Sequence, residues 1–97
     1  MSRIYDTIGL IGKPRHEGAS ATIEALHHYL TENGYKDLVE NSVAPSINVE
    51  GKLVHTLMEI GEQADLAIVV GGDGYMLGAA RVLSCYSIGV IGVNRGN

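Results

Sequence analysis

Three apolar runs, Thr7 to Gly12, Leu66 to Val70 and Ile88 to Val93, lack the strict alternation of apolar and polar residues that marks a half-exposed strand. Strands covered on both faces read this way, which points to a parallel sheet flanked by helices. A weaker run, Tyr35 to Glu40, holds Leu38 and Val39 between polar residues and reads as an edge strand. Between the runs the period lengthens. Ala19, Ile23, Leu26 and Leu30 fall on one stripe of a helix. Ser20 is the expected N-cap and Gly34 the left-handed stop after Asn33. Leu53, Leu57 and Ile60 repeat the pattern in a shorter helix ending near Gly61. A third helix is expected from about Tyr75 to Cys85, with Met76, Ala79, Ala80 and Leu83 turned inward. Pro45 falls in the polar connection between the second strand and the second helix, where its missing N–H does no harm. The order is β-α-β-α-β-α-β, which right-handed crossovers wind into a doubly wound α/β layer structure with a mainly parallel sheet. No repeat, low-complexity tract or linker divides residues 1–97, which read as one domain. The final Asn94-Arg95-Gly96-Asn97 follows a strand at once and reads as a cut end.

Composition sharpens this picture. With 45% hydrophobic and 19% charged residues the chain has enough apolar surface to pack, unlike a disordered tail. It has five Tyr but neither Phe nor Trp, so the core must be built from aliphatic residues and Met. The formal net charge of −4, without a cluster of Lys or Arg, argues against a nucleic-acid surface, where phosphate neutralisation dominates affinity. No apolar stretch approaches the ~20 residues of a membrane span. Met1-Ser2-Arg3 leads into mixed sequence rather than a secretory leader. Cys85 is the single cysteine, which excludes an intramolecular disulfide and suits a reducing compartment, so a cytoplasmic location is expected. Cys85 itself is expected to be a small packed residue. His27 and His28 point to different helix faces, and His16 and His55 have no partner at ligand spacing, so no protein-bound metal centre is expected.

Ligands of open parallel sheets collect beyond the carboxyl ends of the strands. Three segments end there: Gly12-Lys13-Pro14-Arg15, Gly71-Gly72-Asp73-Gly74 and Asn94-Arg95-Gly96. The second is the most informative. Glycines admit positive φ and let a ligand reach the backbone, and amides at a helix start favour phosphate. Asp73 adds negative charge where phosphate would be welcome, so the carboxylate needs its own purpose. It could accept a proton from a sugar hydroxyl, hold a divalent cation beside phosphates, or simply cap the helix expected near Tyr75. Spacing alone leaves function and capping level. The dinucleotide pattern G-x-G-x-x-G fails because position 77 is Leu, and the P-loop pattern fails at Thr7 and Pro14. Lys13 and Arg15 could steer phosphate, although exposed basic residues are usually only solvated. Arg81 is expected in a surface ion pair, and Met76 in the core.

The glycine motif, together with Ile8 to His16, Glu59 to Val70, Met76 to Arg81 and Ile91 to Asn97, resembles the N-terminal domain of bacterial NAD kinases. The resemblance implies transfer of the γ-phosphoryl group of ATP, with a divalent cation such as Mg2+, to the 2′-hydroxyl of the adenosine ribose of NAD. It implies Asp73 as the proton acceptor and Gly72, Asp73 and Gly74 as contacts to NAD. It further implies a homo-oligomeric enzyme with a β-rich second domain, carrying an Asn-Glu motif, that is absent from this chain. The 97-residue chain alone is therefore expected to be inactive. Tyr75 departs from the small polar residue usual in the family, so a ring is expected to crowd the nucleotide or lie across it. Two other readings stand beside this one: a non-catalytic nucleotide-binding or assembly module, and a flavodoxin-like domain whose glycine loop takes another phosphate compound.

Overall fold

A computed structural model describes residues 5–96, so Met1-Ser2-Arg3-Ile4 and Asn97 lie outside the described residues. Five strands, β1 (Thr7–Gly12), β2 (Lys36–Glu40), β3 (Leu53–His55), β4 (Leu66–Gly71) and β5 (Gly89–Asn94), form one sheet. Every pairing is parallel and the spatial order is β3-β2-β1-β4-β5. Helix α1 (Glu17–Glu32) joins β1 to β2, α2 (Leu57–Gln63) joins β3 to β4, and α3 (Asp73–Leu83) joins β4 to β5. The chain leaves β1 in one direction and returns to its other side with β4, so the strand order reverses between β1 and β4. The expected doubly wound α/β architecture is the one observed.

Alternation within the central strands explains the two layers. Ile8 and Leu10 pack with Ala19, Ile23 and Leu30 of α1, and with Val43, Ala44 and Ile47 from the connection after β2. Ile11, one residue out of phase, joins Leu38, Val69, Ile60 of α2, and Ala79 and Leu83 of α3 on the opposite face. Gly9 lies on this second face for a steric reason: a Cβ there would stand 2.3 Å from Ile60 Cγ2. The helix approaches the sheet through that gap.

Several elements differ from their sequence expectation. The sheet has a fifth strand, because Leu53 lies in β3 and not in a helix with Leu57 and Ile60. Helix α2 instead starts after Thr56, whose hydroxyl accepts from Glu59 N while the Glu59 carboxylate accepts from Thr56 N. It runs on to Gln63, past Gly61. Strand β2 lies inside the sheet between β1 and β3, so the edge position falls to β3, where Leu53 and Val54 are exposed. Helix α1 starts at Glu17, four residues before the expected start, because His16 Nδ1 caps it by accepting from Ala19 N at 3.0 Å. Gly34 does take the left-handed conformation, with φ 79°. Cys85 is exposed instead of packed, and Met76 lies half-buried against the second core layer.

The buried stripe of α1 also contains His27, which the hydrophobic pattern passed over. Its Nδ1 lies 2.6 Å from Oδ2 of Asp37 on β2, and both side chains are almost fully buried. Among the described residues this is the one ion pair, and Arg81 on α3 has no such partner.

Candidate functional site

The carboxyl ends of β1, β4 and β5 meet, as the three loop segments suggested. Lys13 N donates to Val70 O at 3.0 Å, and Arg95 N donates to Gly71 O at 2.9 Å. These bonds carry the sheet ladder one step past the strands and hold both flanking loops against the glycine segment. The position of a Gly71 Cβ would lie 3.4 Å from Lys13 Cβ and 3.3 Å from Tyr75 Cδ2. A larger residue at 71 would therefore push on the first loop and on the first turn of α3.

Asp73 is the first residue of α3, and Gly72 is its N-cap, with extended backbone and no side-chain capping bond. The capping role that spacing allowed for Asp73 is thus not the one its side chain takes. Its Oδ1 accepts from Asn94 Nδ2 at 2.7 Å, across 21 residues and from the adjacent strand. The Asn94 amide is itself oriented, because its Oδ1 accepts from Gly96 N at 2.8 Å and so turns the NH2 toward Asp73. Asp73 is exposed, and among the described residues no donor reaches Oδ2. One oxygen is held, and the other belongs to an exposed carboxylate and has no protein donor among the described residues.

The glycines of this loop work by leaving space. Positive φ is confined, among the described glycines, to Gly34, Gly51 and Gly96, so Gly71, Gly72 and Gly74 are not there for a left-handed turn. Beyond the surrounding backbone of α3 itself, a Cβ on Gly74 or Gly78 would meet nothing within 4 Å. Glycine inside a helix costs about 1 kcal/mol against alanine. No packing contact offsets that cost here, so the bare backbone is available to something outside the fold. Both glycines line a groove of about 310 Å³ with Leu57, Tyr75 and Ala79.

Tyr75, the departure noted in the sequence, is half-buried beside this groove, with its ring against Gly71. Burial raises the pKa of its phenol, the Glu40 carboxylate raises it further, and the Ser42 hydroxyl partly offsets the rise. Glu40 is buried at the end of β2 and accepts from Ser42 N at 3.0 Å and from Ser42 Oγ. Tyr75 therefore reaches toward the end of β2 and roofs a polar cluster there. Sequence spacing gave no sign of Glu40 or Ser42.

The first loop is also shaped tightly. Arg15 has φ 58°, a left-handed conformation that is uncommon outside glycine and costs of order 1–2 kcal/mol. It lines a shallow cavity of about 370 Å³ at the head of α1 with His16, Glu17, Ser20 and Glu24. Among the described residues no three His, Cys, Asp or Glu side chains are grouped to hold a metal ion. No described helix is long and apolar enough to cross a membrane.

Residues 8–97 match the family model of the ATP-NAD kinase N-terminal domain. The whole chain aligns with a protein named NAD kinase from Colwellia psychrerythraea at 68% identity, covering 33% of that relative. Proteins of the same name from Shewanella halifaxensis and Aeromonas salmonicida are 62% and 60% identical over the full chain, which covers 31% and 33% of them. The chain thus spans about a third of the length of these relatives.

Proposed function

This chain belongs to the ATP-NAD kinase N-terminal domain family, and from that premise we propose that it supplies the catalytic base of an enzyme that phosphorylates NAD. In the full-length protein the γ-phosphoryl group of ATP passes to the 2′-hydroxyl of the adenosine ribose of NAD, giving NADP. The observation that carries this reading is the bond from Asn94 Nδ2 to Asp73 Oδ1.

That bond restrains the rotation of the carboxylate and leaves Oδ2 without a protein donor among the described residues. A ribose hydroxyl placed there can donate its proton to Oδ2 as its oxygen attacks the phosphorus. General base assistance of this kind is worth ~10² to 10⁴ in rate. Gly74, exposed and with open space where a Cβ would stand, leaves its backbone bare beside that hydroxyl, which suits contacts to NAD from the Gly72-Asp73-Gly74 segment. A divalent cation that keeps most of its ligands as water and nucleotide phosphate needs no cluster of protein carboxylates, and none is present among the described residues. Such a cation, Mg2+ in this reading, would neutralise phosphate charge when bound with ATP. The same reading carries a cytoplasmic homo-oligomer.

The test is Asp73→Asn in the full-length protein, with NADP formation followed at saturating NAD and ATP. A fall in kcat of ~10² or more with an unchanged melting profile is expected. An unchanged kcat would remove Asp73 from the chemistry and favour a nucleotide-binding module. The 97-residue chain alone is expected to form no NADP, because it spans only about a third of the length of its relatives and lacks the second domain that the resemblance implies; activity above a heat-killed control would overturn that.

A further inference from the structure

We propose that Arg95, with His16 and Arg15, docks the phosphate chain of the phosphoryl donor, an assignment that rests on the kinase reading above. The chain is acidic, with 7 Lys+Arg against 11 Asp+Glu, yet Arg15 and Arg95 both stand at the carboxyl end of the sheet. Neither is neutralised within the fold: among the described residues the one ion pair is His27 with Asp37, elsewhere in the molecule.

The side chains converge. Arg95 Nε and Nη2 lie 3.4 and 3.5 Å from where a Cβ on Gly18 would stand, and His16 Cε1 lies 3.1 Å from that same point. Guanidinium and imidazole therefore sit together over the first turn of α1, in a space kept open by a glycine. His16 Nδ1 accepts from Ala19 N, so the neutral ring carries its proton on Nε2 and is a donor on its other side. Arg15 borders the cavity that His16 also lines. Of the two carboxylates there, Glu24 accepts from Asn48 N at 2.7 Å, and Glu17 is exposed and pairs with neither arginine.

Donors from the segment before α1 and from the end of β5 thus meet at the head of α1, where Arg15 and Arg95 have no carboxylate partner among the described residues. A guanidinium over the first turn of a helix also faces the positive end of its dipole, an unfavourable arrangement until an anion lies between them. Guanidinium groups match phosphate oxygens in pairs, which favours a phosphate chain over a simple carboxylate. Position gives the chain to the donor. Arg95 directly follows Asn94, whose amide bonds Asp73, and Arg95 N donates to Gly71 O in the glycine segment, so phosphate held on Arg95 lies at the same carboxyl end of the sheet as the base. Phosphoryl transfer depends on such placement and on neutralised charge.

The test varies ATP and NAD separately in the full-length protein. Arg95→Gln is expected to raise the KM for ATP on the order of tenfold and to leave the KM for NAD unchanged, the loss of one charge-assisted contact. Arg95→Lys is expected to recover part of the loss, and Arg81→Gln, an exposed change on α3, to show none. An unchanged KM for ATP in Arg95→Gln, or a rise in the KM for NAD instead, overturns the proposal. Titration calorimetry with inorganic tripolyphosphate separates this from the kinase reading. If the wild-type protein makes no NADP, the kinase reading fails. Tripolyphosphate binding that weakens in Arg95→Gln still supports the dock, and absent or equal binding overturns it.

Discussion

Asp73 is held from one side only, and the residue doing so lies on another strand. Asn94→Leu removes the amide while keeping a side chain of similar size, so the carboxylate loses its fixed rotation but remains present. The expected result is a kcat decrease smaller than that of Asp73→Asn, measured in the same assay. Tyr75 offers a spectroscopic handle. Its phenol is pushed above the ordinary value of 10.0 by burial and by Glu40, so the folded state favours the neutral form. The stabilisation from Tyr75 is whole below the unfolded pKa and is lost as pH rises through the higher folded pKa. An ultraviolet titration should show one of the five tyrosines ionising late, and Tyr75→Phe should remove that late step. Asp73 and its glycines were legible in the sequence, because a carboxylate among glycines at a strand end is a local pattern. Glu40 and Ser42 were not, since they meet Tyr75 only through the fold. His27 with Asp37 escaped notice for a related reason: a histidine in phase with Ile23 and Leu30 breaks the apolar stripe, and its partner lies on another element.

At the level of elements, two features set boundaries that hydrophobic spacing misplaced. Leu53 is four residues from Leu57, a spacing that suits a helix, yet the reciprocal bonds of Thr56 and Glu59 start the helix later and leave Leu53 to a strand. Thr-x-x-Glu is a helix-start signature and outweighs one in-phase leucine. Thr56→Ala is expected to cost about 1 kcal/mol in denaturant unfolding. His16 capping α1 was harder to foresee, because histidine is outside the usual set of capping residues. The contact between α2 and the sheet depends on Gly9. Gly9→Ala would drive a methyl into Ile60 and is expected to destabilise the fold by ~1–3 kcal/mol, whereas Gly74→Ala, which meets nothing, should leave the melting temperature level or higher while impairing nucleotide binding.

Across the whole molecule, the alternation of strands and helices conveyed the architecture, and the short β3 was the part it concealed. Three residues are too few to show a period, and with exposed Leu53 and Val54 the strand resembles a loop. Acid stability should turn on a contact between sheet neighbours. The Asp65 carboxylate accepts from the amides of Thr7 and Asp6 at 3.0 and 2.9 Å, which holds its pKa below the ordinary 3.8. Its contribution is whole above the unfolded pKa and is lost as pH falls through the lower folded pKa. Asp65→Asn is therefore expected to flatten the acid limb of a stability profile below that ordinary value. The opposite edge, β5, exposes Val90 and Ile91 beside an unpaired ladder. The 97-residue chain is expected to self-associate in light scattering, and Ile91→Lys to return it toward a monomer.

The long reach of Asn94 also has a temporal side. A growing polypeptide emerges from the ribosome amino end first, so β1, α1 and β2 can assemble while the glycine loop is still being made. Asp73 is then translated 21 residues before the amide that aims it. Until Asn94 has left the tunnel and β5 has joined the edge of β4, the newborn protein holds its carboxylate without its aim. Addition of β5 to the sheet is thus also the step that fixes the carboxylate.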